Sequence, residues 1–429
     1  MRILHWRGPV VIVVVMTVSA ACTGAATVSA EGSSEAVVPS ARGLSASAGG
    51  LAELEGEPIT IGGTLGLTGA FSAPAAAYHA AYELWASDVN ASGGLLGRPV
   101  ELVIYDDEST PATAHSLYQR LIDQDQVDLL LAPYSTAIGD AVLPLVERNE
   151  MVLFNGGFVS VDMFQNSDWM VGSLTYQEPD HARELFDMID ALPDAQHPQR
   201  IGIATARDPF TLRVRDGFEG QGGVRTFARE RGIPVVYDVQ YPAGAIDAAD
   251  VVEQAQAQNV DLFFALALAD DAALLARAAH SIGFKPRIYC ACGSHVTSLP
   301  EWKALGPAGD GIMSTAMAWP AGDLPALRAL SQHAQSALDY PELPVHMTAG
   351  YTIMQVLQQA VEGVGQIDQA ALRDYVTGRT IDTVVGSITF DEDRIPEYAS
   401  LLLQYRGDHN EVIWPADRAT SDPQIPTDG

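Results

Sequence analysis

Lysine is almost absent from this chain: Lys285 and Lys303 are the two in 429 residues. With 24 basic against 54 acidic side chains the formal net charge is −30, so no basic surface can follow a phosphate backbone and nucleic acid is excluded as a partner. Long apolar runs are missing too. None approaches the roughly 20 residues that a membrane-spanning helix needs. Enzyme signatures are equally scarce, with no G-x-S-x-G elbow, no Walker A loop, no H-E-x-x-H and no strict G-x-G-x-x-G, since Gly62, Gly63, Gly66 and Gly69 have the wrong spacing. The three cysteines offer no metal set, because no partner His or Cys pair stands at ligand spacing. Cys290 and Cys292 are separated by one residue, which strains a disulfide ring, so two buried thiols are the expectation, with a disulfide the alternative that an oxidising exported compartment would allow.

What remains is a chain that is 47% hydrophobic and long enough for two domains of roughly 150 residues each. Its N-terminus is read as a targeting segment rather than as fold: Arg2 and Arg7 precede the apolar run Val10–Val18, and small residues follow. Residues 1–30 are therefore expected to be a signal peptide. "SAAC" resembles the bacterial lipobox, with Ser19 where leucine is usual, and that resemblance implies a lipid anchor on Cys22; "VSA", ending at Ala30, offers an ordinary cleavage site instead. A Ser-, Ala- and Gly-rich linker, 31–57, follows with little to bury.

From Ile59 short apolar runs alternate with longer amphipathic ones, the pattern of a doubly wound parallel sheet with helices on both faces. Strands are predicted at Ile59–Thr64, Val100–Tyr105, Asp128–Ala132 and Met151–Asn155, with helices at Ala75–Val89, Ala112–Gln124 and Ile138–Glu147. The pattern then repeats. Strands at Ile201–Thr205, Val235–Val239, Asp261–Leu266 and Arg287–Cys290 alternate with helices at Leu212–Arg229, Ala248–Gln258 and Asp271–Ile282. Late strands at Gly311–Ala316, Ser387–Asp391, Leu401–Tyr405 and Val412–Trp414, beside helices at Met347–Val364 and Gln369–Thr377, are expected to complete both sheets. The chain would then cross between lobes more than once, and such crossings act as a hinge.

In "NASGGLLGRPVELVIYDDEST" (Asn90–Thr110) the glycines end a helix and reverse the chain, and "DDE" reads as the capped, solvated start of the next helix. Together with "LTGAFS" (Leu67–Ser72), "APYST" (Ala132–Thr136) and "GYTIMQVLQQA" (Gly350–Ala360), this stretch resembles the type I periplasmic solute-binding proteins of the branched-chain amino acid (Leu/Ile/Val-binding) family. The resemblance covers about Ile59 to Trp414 and is strongest over Ile59–Gly157. It implies an α/β, two-lobed type I periplasmic binding fold, each lobe a doubly wound, mostly parallel sheet flanked by helices, with a multi-strand hinge. Lobe 1 would hold 58–175 and 308–383, lobe 2 would hold 176–307 and 384–417, and 418–429 would be a tail. It further implies an exported receptor, periplasmic or attached to the outer face of the cytoplasmic membrane. Such a receptor closes on an amino acid, an amide or a related small organic acid and presents it to an ABC permease, without cofactor or catalysis. A ligand sensor reporting to a regulator or membrane receptor is the alternative.

In open parallel sheets ligands bind beyond the carboxyl ends of the strands, where strand order switches, and helix N-termini there attract anions. That places candidate contacts at Phe71, Ser72, Tyr134, Ser135, Thr136, Gly156, Gly157 and Phe158 in the first lobe. The resemblance assigns Ser135 and the Gly156–Gly157 loop to the ligand's backbone groups. "NGGF" (Asn155–Phe158) departs from the family's pattern, and Phe158 is expected either to cover a planar part of the ligand or to join the core. Across the cleft the candidates are Phe210, Asp270, Ser294 and His295, with Asp270 replacing the aromatic usual in its loop.

Overall fold

The computed structural model describes residues 54, 56–172, 178–293, 295–321, 324–338, 340, 342–397 and 400–426. The expected leader, Cys22, nearly all of the linker and Ser294 lie outside the described residues.

The first half alternates strand and helix: β1 (Ile59–Leu65), α1 (Ser72–Ala91), β2 (Val100–Asp106), α2 (Pro111–Asp123), β3 (Leu129–Leu131), α3 (Thr136–Asn149), β4 (Leu153–Asn155), α4 (Val161–Gln165) and β5 (Met170–Gly172). The strands form a parallel sheet in the order β2-β1-β3-β4-β5. Side chains alternate across it with the two-residue period of a pleated strand. Leu129 and Leu131 join the core under α1, whereas Leu130 joins the core under α2 and α3.

The second half gives α5 (Arg183–Ala191), β6 (Ile201–Ala206), α6 (Pro209–Asp216), α7 (Val224–Glu230), β7 (Val235–Tyr241), α8 (Ala248–Ala257), β8 (Leu262–Leu266), α9 (Ala269–Ile282), β9 (Ile288–Cys290), α10 (Pro300–Lys303) and β10 (Met313–Ala316). It is followed by α11 (Pro325–Leu338), α12 (Val345–Val364), α13 (Gln369–Val376), β11 (Thr380–Thr383), β12 (Gly386–Phe390), β13 (Pro396–Glu397), β14 (Leu401–Arg406) and β15 (His409–Trp414). The second sheet runs β15-β14-β10-β9-β8-β6-β7, with β14 antiparallel to both of its neighbours and the other strands parallel to one another. Along β8, Leu262, Phe264 and Leu266 face one core while Phe263 and Ala265 face the other.

Several expectations are corrected. The late strands complete only the second sheet: β10, β14 and β15 join it, and β11–β13 make a separate antiparallel sheet. Because β10 pairs with β9 and β14, residues 313–316 stand with the second lobe rather than with 308–383 in the first. Conversely β12 and its neighbours pack on the first-lobe core through Ile381, Ile388 and Phe390, so 384–397 do not accompany the second lobe. The single helix expected over Leu212–Arg229 is two, α6 and α7, because Gly217, Gly220, Gly222 and Gly223 all take positive φ between them. Cys290 and Cys292 are joined as a disulfide, with Cα atoms 5.2 Å apart, a separation that a bridge spans. Nor is "DDE" a solvated cap. No acid lies in the first turn of α2, and Asp107 is buried, accepting bonds from the Thr64 hydroxyl at 2.7 Å and the Ser109 amide at 3.0 Å. Burial raises its carboxyl to about 6. Asp106 meanwhile accepts from the Thr68 amide and hydroxyl, so the two acids stitch the loop after β2 to the loop after β1.

Among the described residues no helix is long and apolar enough to cross a membrane.

Candidate functional site

In both sheets the strand order reverses beside the first strand, between β1 and β3 in one and between β6 and β8 in the other. The loops leaving those strands and their neighbours face one another across a cleft of about 580 Å³ between atoms, including its open side. From the first lobe come Tyr78 on α1, Tyr134–Thr136 after β3, Gly157–Val159 after β4, and Val345, His346 and Ala349 on α12. From the second come His181 just before α5, Asp208 and Phe210 after β6, Leu268 after β8, and Gly293 and His295 after β9.

Ser135 is the N-cap of α3, yet its hydroxyl caps nothing: it is 7% exposed and has no hydrogen-bond partner among the described residues. The first amides of α3 have no carbonyl one turn earlier to bond, so the hydroxyl and the helix end together offer donors to an anion. Gly157 has to be glycine, because a Cβ there would collide with the Pro133 carbonyl. Phe158 is buried, lines the cleft and lies against Gly139 of α3, so it belongs both to the cleft wall and to the core below it.

A chain of rings crosses the cleft. Phe71 meets Tyr134 edge-on at 5.6 Å between centroids, and Tyr134 meets His346 edge-on at 5.5 Å. His346 lies 5.7 Å from His295, His295 lies 5.3 Å from His181, and His181 meets Phe210 edge-on at 5.1 Å. The crossing from one lobe to the other is the His346–His295 pair. Burial holds all three imidazoles neutral: His181 and His346 are pushed well below the usual range, further helped by His295, and His295 is pushed down to about 4 although its bond to the Thr315 carbonyl opposes this. The Thr315 hydroxyl lies 2.9 Å from His181 Nε2, and the Thr315 carbonyl lies 2.7 Å from His295 Nδ1. His346 differs, since both of its ring nitrogens are buried without a partner among the described residues. Among the described residues no group of His, Cys, Asp or Glu could hold a metal ion.

A second interlobe contact lies outside this cleft lining. Arg213 on α6 donates to Asp162 on α4 at 2.6 Å. Burial pushes the Asp162 carboxyl up, but the Ser160 hydroxyl and Arg213 outweigh it and leave the carboxyl below its usual value. Beside them Glu178 is fully buried and accepts from the Val161 amide, and burial raises it to about 7.

Of the residues named from the sequence, Tyr134, Ser135, Thr136, Gly157, Phe158, Phe210 and His295 line the cleft. Four others do not. Phe71 stands behind Tyr134, Ser72 opens α1, and Gly156 accepts a bond from the Tyr78 hydroxyl through its carbonyl. Asp270 is exposed in the first turn of α9, and the carboxylate at the cleft is Asp208. Tyr78, His181, His346 and Leu268 were not anticipated. Each sits in a helix or loop whose local pattern reads as ordinary core, and the one available signal was the histidine at the second position of α12, four residues before Gly350.

Residues 58–410 match the periplasmic binding protein family. The Leu/Ile/Val-binding protein of Escherichia coli K12 is 21% identical over 341 residues, 76% of this chain and 86% of that protein. Among solved structures, a leucine-binding protein from Thermotoga maritima superposes with a TM-score of 0.71 at 19% identity, covering 82% of this chain and 97% of the other. An ABC transporter solute-binding protein from R. palustris in complex with benzoate gives 0.72 at 18% identity, covering 86% and 99%.

Proposed function

The chain belongs to the periplasmic binding protein family, and from that premise we propose that it is the exported receptor of an ABC importer, catching a small carboxylate-bearing solute between its lobes. The observation that carries this reading is the cleft itself: it draws on both sheets at their switch points, and buried within it the Ser135 hydroxyl and the His346 nitrogens have no protein partner. Buried polar groups in native proteins are almost always paired, so unpaired ones in a cleft mark where a ligand bonds. The relatives fit this reading, being named for binding leucine, isoleucine and valine, or found with benzoate.

We take 58–172 and 317–397 as lobe 1 and 178–316 and 400–426 as lobe 2, joined by three passages of chain. A ligand bridging the lobes stabilises the closed arrangement, because the open one cannot make both sets of contacts. Binding without covalent chemistry fits the same groups: among the described residues Ser135 has no base at hydrogen-bond distance to activate it. Transfer to a membrane permease and lipid attachment at Cys22 complete the proposal. A thermal-shift panel of amino acids, amides and small carboxylic acids tests it, since a ligand at about a hundred times its Kd adds roughly 2.7 kcal/mol of stability. A selective shift supports the receptor; a flat panel with ligand-free protein refutes it.

A further inference from the structure

Resting on the receptor reading above, we propose that the ligand is a planar aromatic carboxylate with a further hydrogen-bonding substituent on its ring, rather than an aliphatic amino acid. Charge speaks first. Among the described residues no lysine or arginine lines the cleft, and the carboxylate that does, Asp208, is the N-cap of α6, accepting from the Phe210 amide at 3.0 Å. Burial pushes the Asp208 carboxyl up, against the lowering effect of the Phe210 and Thr211 amides. An α-ammonium group would therefore have to compete with the α6 amides for that carboxylate, and Asp270, the other candidate, is exposed elsewhere. A carboxylate, in contrast, is matched by the unpartnered Ser135 hydroxyl at the α3 N-terminus.

Shape and the remaining polar groups point the same way. The cleft presents Tyr78, Tyr134 and Phe158 from one lobe and His181, Phe210 and His295 from the other, surfaces that favour an inserted ring by offset or edge-on contact. His346 lies among them, 2% exposed, with neither nitrogen bonded. A neutral imidazole carries one N–H donor and one lone-pair acceptor. An alkyl side chain would leave both buried and unpaired, whereas a phenolic hydroxyl can engage either.

The test uses the full chain, freed of bound solute by unfolding without reductant and refolding, and titrated calorimetrically with benzoate, 4-hydroxybenzoate, leucine, glycine betaine and urea. Both aromatic carboxylates should bind, the hydroxylated one at least tenfold tighter, and leucine should not. His346→Phe keeps a ring but removes its nitrogens, and should bring the two aromatic affinities to within about twofold; His346→Leu serves the same comparison if circular dichroism shows that the first variant misfolds. Tighter binding of leucine, betaine or urea than of either aromatic acid overturns the aromatic assignment and leaves the receptor reading standing. Equal affinity of wild type for the two aromatic acids overturns the ring substituent. No binding of any of the five overturns both readings.

Discussion

Lowering the pH from 7.5 to 4.5 should weaken the fold through the cleft histidines, and His295 allows the size to be worked out. Its imidazole titrates near 4 in the fold against an ordinary 6.5, chiefly because it is buried. The unfolded chain therefore takes up a proton as pH falls through 6.5 while the folded chain resists until about 4, and stability is lost across that window. At pH 4.5 the unfolded histidine is almost fully protonated and the folded one only about a quarter, a difference of roughly 2.5 kcal/mol at 1.36 kcal/mol per pKa unit. His181 and His346 act in the same direction. Glu178 and Glu184 act against them, since burial holds both carboxyls near 7 and their protonation below that favours the fold. The comparison that isolates His295 is therefore with His295→Gln. Urea unfolding followed by the fluorescence of Trp85, Trp169, Trp302, Trp319 and Trp414 should show the wild type losing roughly 2 to 3 kcal/mol more than the variant between the two pH values. Parallel losses in the two proteins would refute the assignment of a buried neutral imidazole.

Ser135→Ala should weaken ligand binding tenfold to a hundredfold, about 1–3 kcal/mol, with an unchanged melting temperature for the free protein; calorimetry reporting equal affinity removes Ser135 from the site. Glu178→Gln should raise stability by roughly 3 kcal/mol at pH 8, where the wild-type carboxylate is ionised in a fully buried place, and should do nothing at pH 4, where both states are protonated. Urea melts at the two pH values check the sign. Arg213→Ala breaks the contact with Asp162 across the lobes, a partly solvated pair worth about 1 kcal/mol or less, so affinity should drop no more than about fivefold while small-angle scattering shows a larger unliganded molecule; an unchanged radius of gyration would show that this pair does not hold the lobes together.

The strand–helix alternation was legible because it is local. Ile59, Ile61, Leu129 and Leu131 repeat at the period of a pleated sheet, and a parallel sheet buried on both faces follows. The first-lobe loops were legible for the same reason, since a residue one or two positions past a strand lies at its carboxyl end whatever the strand order. Strand order itself is not local. Nothing in the pattern around Met313 says that it will pair with Gln404 and Cys290 rather than with the first sheet. The cleft histidines were hidden by the same gap. His181, His295 and His346 come from three separated segments, and each alone reads as a lone histidine near apolar neighbours, so only their assembly shows a ring chain. Asp270 misled because a carboxylate at a strand end resembles one at a cleft, whereas here it sits on the exposed side of the first turn of α9.

One feature of the first lobe bears on how the chain is made. α1 packs along α12, and the Trp85 indole donates to the Gln358 side chain across 273 positions of sequence. One face of the first sheet is therefore covered by α1 alone until α12 has emerged, which means after the second sheet up to β10 has been synthesised. Pairings of such long range form late and leave apolar surface open to aggregation meanwhile. A chain delivered through a membrane from its N-terminus would present that unfinished face first, so holding it unfolded until the C-terminal third arrives is part of what its export machinery must do.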